Sequence, residues 1–126
     1  MQPKSTGRGR VVERLREARS QREAVVDELI ELDPLIIGSL SEMLRRCGKP
    51  SCHCAERPGH LQAVLMSAQD GRRRCQMIRK ADLPAVRQAV ERYREFRAGL
   101  RELNTIDSRV LALLKELMKL RDEGYK

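Results

Sequence analysis

Three cysteines and one histidine lie close together in the chain, with the spacing Cys-x4-Cys-x-Cys-x5-His. They are Cys47, Cys52, Cys54 and His60. Thiolate sulfur and imidazole nitrogen are the ligands of structural zinc, which takes four of them in a tetrahedron. The Gly and Pro residues between these four allow the tight backbone turns that a single site needs. The spacing therefore predicts one structural Zn²⁺ ion held by these four side chains.

Cys75 is an alternative to His60 as the fourth ligand. The pair Asp70-Gly71 is a strong signal for a two-residue hairpin turn, and a hairpin about it places Cys75 opposite Met66. Met66 lies six residues from His60, which is about 20 Å along a strand. A zinc–ligand bond is only about 2 Å long, so this register favours His60 over Cys75.

Other chemistries have less support. A catalytic zinc ion keeps an open position and works with acidic helpers, whereas Glu56 is the only carboxylate in this loop. The chain has no Cys-x-x-Cys pair, no Gly-rich phosphate loop and just two histidines. We therefore expect a protein that is not an enzyme. We also expect a cytoplasmic protein without a membrane span, since no apolar segment resembles a signal peptide or reaches about 20 residues.

Positive charge is concentrated in the middle of the chain. The formal net charge is +8, and residues 45–80 carry nine basic and two acidic side chains. Clustered arginine suits phosphate, because guanidinium bonds phosphate oxygens in pairs and releases counterions. The simpler interpretation is a solvated basic surface with no specific partner. The predicted nucleic-acid-binding residues are Arg45, Arg46, Lys49, Arg57, Arg72, Arg73, Arg74, Arg79 and Lys80.

The predicted elements that position these residues form four segments. Residues 1–9 are expected to be a disordered basic tail, and 10–32 an amphipathic helix with apolar residues three, four and seven apart. Residues 38–80 are predicted to form a zinc-knuckle β-module. The stretch 35–46 could be strand or helix, because Pro34 can also begin a helix. Residues 82–122 are predicted to form one long helix, or two helices with a turn at Asn104-Thr105.

Part of the chain resembles a known family. The segments are Gly38-Ser39-Leu40, Arg45-Arg46-Cys47-Gly48-Lys49-Pro50-Ser51-Cys52-His53-Cys54 and Gly59-His60. They are similar to small uncharacterised bacterial zinc-knuckle proteins encoded beside transposases and recombinases on mobile elements. The resemblance covers about residues 38–103. It implies that 38–46 is a strand that pairs with 61–69, so that Cys47 and His60 face each other. The family continues with a Gly-Pro-aromatic run where this chain has Leu61-Gln62-Ala63-Val64, which removes side chains that could stack on bases.

The expected fold is mainly α, with a small zinc-stabilised antiparallel β-sheet flanked by long coiled-coil-like helices. Aromatic residues make up only 2% of the chain, which favours helix–helix seams over a thick β-sandwich. The first functional hypothesis is a DNA-binding accessory protein of a mobile element, acting in transposition or DNA recombination. Its helices would form a homo-oligomer or dock a recombinase or transposase. The alternative is a coiled-coil protein–protein adaptor with a purely structural zinc site and no direct nucleic-acid contact.

Overall fold

A computed structural model describes residues 3–45, 48–52 and 59–125. The described elements are two helices, α1 (Pro3–Ile30) and α2 (Leu83–Arg121), and three strands, β1 (Ser39–Arg45), β2 (His60–Gln69) and β3 (Arg72–Met77). The strands form one antiparallel sheet in the order β1-β2-β3. The fold is therefore two helices with a three-stranded antiparallel sheet, and residues 39–45 are strand rather than helix.

The chain divides into two compact units. A helical unit contains Met1–Leu32 and Phe96–Lys126, and a sheet unit contains Asp33–Glu95. Helix α2 contributes residues to both units. Neither of the described helices has a stretch long and apolar enough to cross a bilayer.

In the helical unit α1 and α2 pack side by side within one chain. Val11 packs with Leu113 and Leu117 at one end of the seam, and Val25 packs with Ile106 further along it. Because the residue numbers rise on one helix as they fall on the other, the two helices are antiparallel. The apolar spacing that predicted an amphipathic helix at 10–32 is the spacing of the α1 side of this seam.

Helix α1 differs from the sequence prediction, and α2 follows one of the two predicted alternatives, a single long helix. Helix α1 begins at Pro3, whereas residues 1–9 were expected to be disordered. Proline suits the first position of a helix, and adding turns to an existing helix avoids the cost of a new nucleus. Helix α2 runs without a break through Asn104-Thr105. The Thr105 hydroxyl donates a hydrogen bond to the carbonyl oxygen of Arg101 at 3.2 Å, which accommodates a threonine inside the helix.

In the sheet unit the hairpin turn is the one that the sequence predicts. Asp70 and Gly71 have φ angles of 52° and 76°, and two successive positive φ values are what a type I′ turn requires. Residues alternate between the two faces of a strand. Ala63 and Leu65 of β2 are buried, so one face of the sheet is covered, while Met66 on the other face is exposed.

Hydrogen bonds with α2 fix the segment that precedes β1. The amide of Ile36 donates to the carbonyl oxygen of Ala89 at 3.0 Å, and Nε of Arg92 donates to the carbonyl oxygen of Pro34 at 2.7 Å. Gly38 follows, where an added Cβ would lie 2.9 Å from the Met66 carbonyl oxygen. A side chain at position 38 would therefore push β1 away from β2.

Candidate metal centre and basic surface

Two of the four predicted zinc ligands are described, and they are in contact. Sγ of Cys52 lies 3.1 Å from Nε2 of His60. His60 is the first residue of β2. The amide of Cys52 donates to the carbonyl oxygen of Lys49 at 3.1 Å, so Cys52 closes a tight turn. Gly48 precedes this turn with a φ of 85°, a conformation that favours glycine.

The separation of these two atoms is close to that of two ligands on one zinc ion. Zn–S and Zn–N bonds of about 2.3 and 2.0–2.1 Å at a tetrahedral angle put sulfur and nitrogen about 3.5 Å apart. Cys52 is half-buried and His60 is exposed. This end of the sheet therefore holds one thiol and one imidazole at nearly the spacing that a shared ion requires.

The other two predicted ligands, Cys47 and Cys54, lie outside the described residues, as do Arg46 and Arg57. Among residues 3–45, 48–52 and 59–125, no three His, Cys, Asp or Glu side chains are grouped closely enough to hold a metal ion. The described part of the candidate centre is thus the pair Cys52 and His60.

Cys75 lies elsewhere on the sheet. It pairs with Met66 across β2 and β3, so the predicted hairpin register is confirmed. Arg45 pairs with His60 at the end where Cys52 lies. Six residues of β2 separate His60 from Met66, which places Cys75 about 20 Å from His60. Cys75 is therefore too far away to share an ion with Cys52 and His60.

The described basic residues of the predicted surface are all exposed. They form two groups on the sheet unit. The hairpin-tip group, Arg72, Arg73 and Arg74, begins directly after the Asp70-Gly71 turn. The loop-end group lies around the first residues of β2 and consists of Arg45, Lys49, Arg79 and Lys80. Arg79 belongs to this group because the preceding residue, Ile78, donates a backbone hydrogen bond to Ala63.

These two groups lie far apart, and no carboxylate among the described residues forms an ion pair with them. Arg73 pairs with Ala68 and Arg45 pairs with His60, so eight residues of β2, or about 26 Å, separate them. Within the described chain none of the seven basic side chains forms an ion pair. Arg74 donates instead to the neutral Oε1 of Gln69 at 2.9 Å. Both groups are therefore available to an external anion.

The covered face of the sheet carries one ion pair that the sequence did not predict. Nε of Arg87 on α2 lies 3.0 Å from both carboxylate oxygens of Glu42 on β1, and Nη2 of Arg87 also donates to Glu42. The hydrogen bonds from Arg87, together with its charge, lower the pKa of the Glu42 carboxyl below its ordinary value of 4.5. No local pattern in the sequence could have indicated an ion pair between two residues 45 positions apart.

Helix α2 carries an exposed apolar stripe beside the one that packs on α1, and this stripe was not predicted from the sequence. Leu113 and Leu117 are buried against α1, at 6% and 8% exposure. Leu111, Leu114 and Met118 recur at spacings of three and four but are 60%, 47% and 64% exposed. An exposed stripe with helical spacing is a candidate partner surface.

Comparison with known proteins identifies a family. A family model described as a domain of unknown function (DUF6788) matches residues 12–88, which is more than half of the chain. No curated protein and no solved structure matches the chain.

Proposed function

We propose that this chain, which belongs to the DUF6788 family, is a non-catalytic, cytoplasmic DNA-binding accessory protein of a mobile element. The sheet unit would contact DNA phosphates, and the helices would form a homo-oligomer or dock a recombinase or transposase. The observation that carries this proposal is the pair of exposed basic groups on the sheet, neither of which is neutralised within the described residues. The mobile-element setting rests on the resemblance around Cys47–His60.

A zinc ion would stabilise the loop end of the sheet. The 3.1 Å contact between Cys52 and His60 supports two ligands, and we propose Cys47 and Cys54 as the others. A bound ion would tie the 46–59 connection to the first residue of β2. In this role zinc holds Arg45 and Lys49 in place and performs no chemistry.

The separation of the basic groups suits duplex DNA. A distance of about 26 Å corresponds to about eight base pairs at 3.4 Å each. Contacts of this kind go to the backbone, so they would position the protein without selecting a sequence. Tyr93 is half-buried and no other described residue of the sheet unit is aromatic, which gives little support to base stacking.

The salt dependence of DNA binding tests this proposal. We expect the zinc-loaded protein to bind duplex DNA of arbitrary sequence at low salt, with an affinity that falls steeply as salt rises. Replacing Arg72, Arg73 and Arg74 with alanine should reduce the slope of log K against log salt by about 0.9 for each arginine that contacts a phosphate, and so by about 2.7 when all three do. Fluorescence anisotropy with a labelled duplex measures this slope.

A matched control distinguishes phosphate contacts made by the hairpin-tip group from an effect of the protein's net charge. Replacing Arg14, Arg16 and Arg19 of α1 with alanine removes the same charge from another exposed surface, and the slope should then stay close to that of the wild type. Equal losses in the two triple variants would mean that net charge alone causes binding. Absence of binding at low salt with zinc present would refute the proposal.

A second candidate function is that of a protein–protein adaptor. The exposed stripe of Leu111, Leu114 and Met118 supports it. In that case Leu114→Asp with Met118→Asp should abolish oligomerisation or partner binding, as measured by analytical ultracentrifugation, while the hairpin-tip variant keeps it. These positions suit the test better than Leu113 and Leu117, because those two are buried in the α1–α2 seam.

A further inference from the structure

The outer face of the sheet is the face opposite Ala63 and Leu65. Residues of β2 alternate between the faces, so His60, Val64 and Met66 lie on the outer one. The register adds their cross-strand neighbours from β1 and β3. The apolar centre of this outer face consists of Met43, Val64, Met66, Cys75 and Met77.

The residues of this centre are neighbours across the strands, and all of them except the half-buried Val64 are exposed. Val64 pairs directly with Met77, and Met66 pairs directly with Cys75. Met43, Met66 and Met77 are 45%, 46% and 72% exposed. An antiparallel sheet with one covered face normally carries polar residues on the other. Three exposed methionines in one patch therefore indicate a binding surface.

The charges on this face have one sign. Arg45 lies at one end of it and Arg73 at the other. Glu42, the only acidic residue within the three strands, lies on the covered face and pairs with Arg87. A partner that covers the outer face thus meets an apolar centre between two cationic ends.

An apolar centre between two arginines is a poor fit for three possible binding partners: a second copy of the chain, DNA and a membrane. A second copy stacked through a twofold axis would bring Arg45 against Arg45 or Arg73, which is a like-charge contact in either orientation. DNA phosphates would find only the neutral donors Ser39, Ser41 and Gln62 beside the methionines, with arginine at the two ends alone. A membrane surface usually engages Trp and Tyr, and the described strands contain no aromatic residue.

The secondary structure of the occupant follows from the sheet. An extended peptide binds most strongly at a sheet edge, where backbone N–H and C=O groups can form hydrogen bonds with it. The face offers side chains alone, so it suits a helix that presents an apolar stripe. A span of about 26 Å corresponds to about 17 helical residues at 1.5 Å each. Methionine is flexible and polarizable, and adapts to such helices.

We propose that the outer face of the sheet binds an amphipathic helix of a partner protein, with acidic residues beside its apolar stripe. This surface is distinct from the exposed stripe of α2. It shares Arg45 and Arg73 with the proposed DNA-contacting groups, and the proposal does not depend on DNA binding. Oxidation of the three methionines to sulfoxides would make the centre polar and weaken the contact.

The experiment uses a synthetic helical peptide of about 17 residues, with Leu at positions i, i+3, i+4 and i+7, Glu at the positions that flank this stripe, and Ala or Gln elsewhere. Fluorescence anisotropy should show that it binds the full-length protein, while the same peptide with Lys for Glu does not. Met66→Gln with Met77→Gln should weaken binding at least about tenfold. The matched control, Ile30→Gln with Leu100→Gln, changes two exposed apolar residues outside the sheet and should leave the affinity unchanged.

The remaining outcomes all overturn the proposal. Circular dichroism must first show that both double variants keep the wild-type fold. No binding of the Glu peptide, equal binding of the Lys peptide, or equal losses in both double variants would refute a specific acidic partner. If the Met66/Met77 variant instead loses self-association or binding to anionic vesicles, with no effect on the peptide, the occupant is a second copy or a lipid surface.

Discussion

Helices α1 and α2 approach each other closely at Gly99, and this contact gives a sharp test of the helical unit. A Cβ added at position 99 would lie 2.6 Å from Cδ2, 3.0 Å from Cδ1 and 3.1 Å from Cγ of Leu29. Carbon atoms in good contact are about 3.5–4.0 Å apart. Because Cγ is also too near, rotating one methyl group of Leu29 does not relieve the clash.

Two opposing effects decide the result of Gly99→Ala. Alanine is better than glycine inside a helix by about 0.5–1 kcal/mol, whereas forcing an extra methyl group into a packed seam costs about 1–3 kcal/mol. The second effect is larger, so we expect Gly99→Ala to lower the free energy of unfolding by about 1 kcal/mol. After Leu29→Ala the clash is gone, and the same change should then raise it by about 0.5–1 kcal/mol.

The change of sign is the decisive observation. Urea unfolding followed by far-UV circular dichroism gives the four free energies of this cycle, and we expect a coupling of about 2 kcal/mol. Gly9→Ala is the matched control, because no heavy atom lies within 4 Å of its added Cβ, and it should stabilise in both backgrounds. If Gly99→Ala stabilises the wild-type chain as Gly9→Ala does, the packing of α1 on α2 is wrong.

Two further predictions concern the sheet unit. Because Arg87 lowers the pKa of Glu42 below 4.5, this pair stabilises the fold above that pH, and the contribution is lost as the pH falls through the lowered value. Glu42→Gln should therefore flatten the fall in stability below pH 4.5 in acid titrations followed by circular dichroism, and an unchanged profile would contradict this. For the metal, Cys52→Ser should abolish the binding of one zinc per chain in native mass spectrometry, whereas Cys75→Ser should keep it; the reverse result would exchange the two ligands.

The pairing of β2 with β3 was predictable from the sequence, because the conformation of a single turn determines it. A two-residue hairpin needs two successive positive φ values, and Asp70-Gly71 supplies them at low cost. That turn alone determined which residues pair, including Cys75 with Met66. Periodicity alone did not decide whether residues 39–45 form a strand or a helix, and only the family resemblance favoured the strand.

Long-range contacts were beyond the reach of the sequence. The partner of Glu42 lies 45 residues away on α2, and the close approach of Gly99 to Leu29 depends on how two helices pack. The sequence predicted the helix at 82–122 but did not identify Leu111, Leu114 and Met118 as a separate stripe, because spacings of three and four also relate residues on adjoining stripes. Burial by α1 separates Leu113 from Leu114, which are neighbours in sequence.

The β2–β3 register shows on which face of the sheet each arginine of the hairpin tip lies, which a count of charges in the sequence cannot show. Arg72 and Arg74 lie on the covered face of the sheet, opposite Gln69 and Ser67, whereas Arg73 lies on the outer face, opposite Ala68. A phosphate strand that lies along one face meets either two of them or one. All three can contact DNA together only if the tip enters a groove with backbone on both sides, and the major groove is wide enough for a two-stranded ribbon. Equal losses of salt slope for the three single alanine variants would therefore indicate insertion of the tip. A loss confined to Arg72→Ala and Arg74→Ala would indicate that DNA lies along the covered side of the hairpin, which leaves the methionines of the outer face for the partner helix.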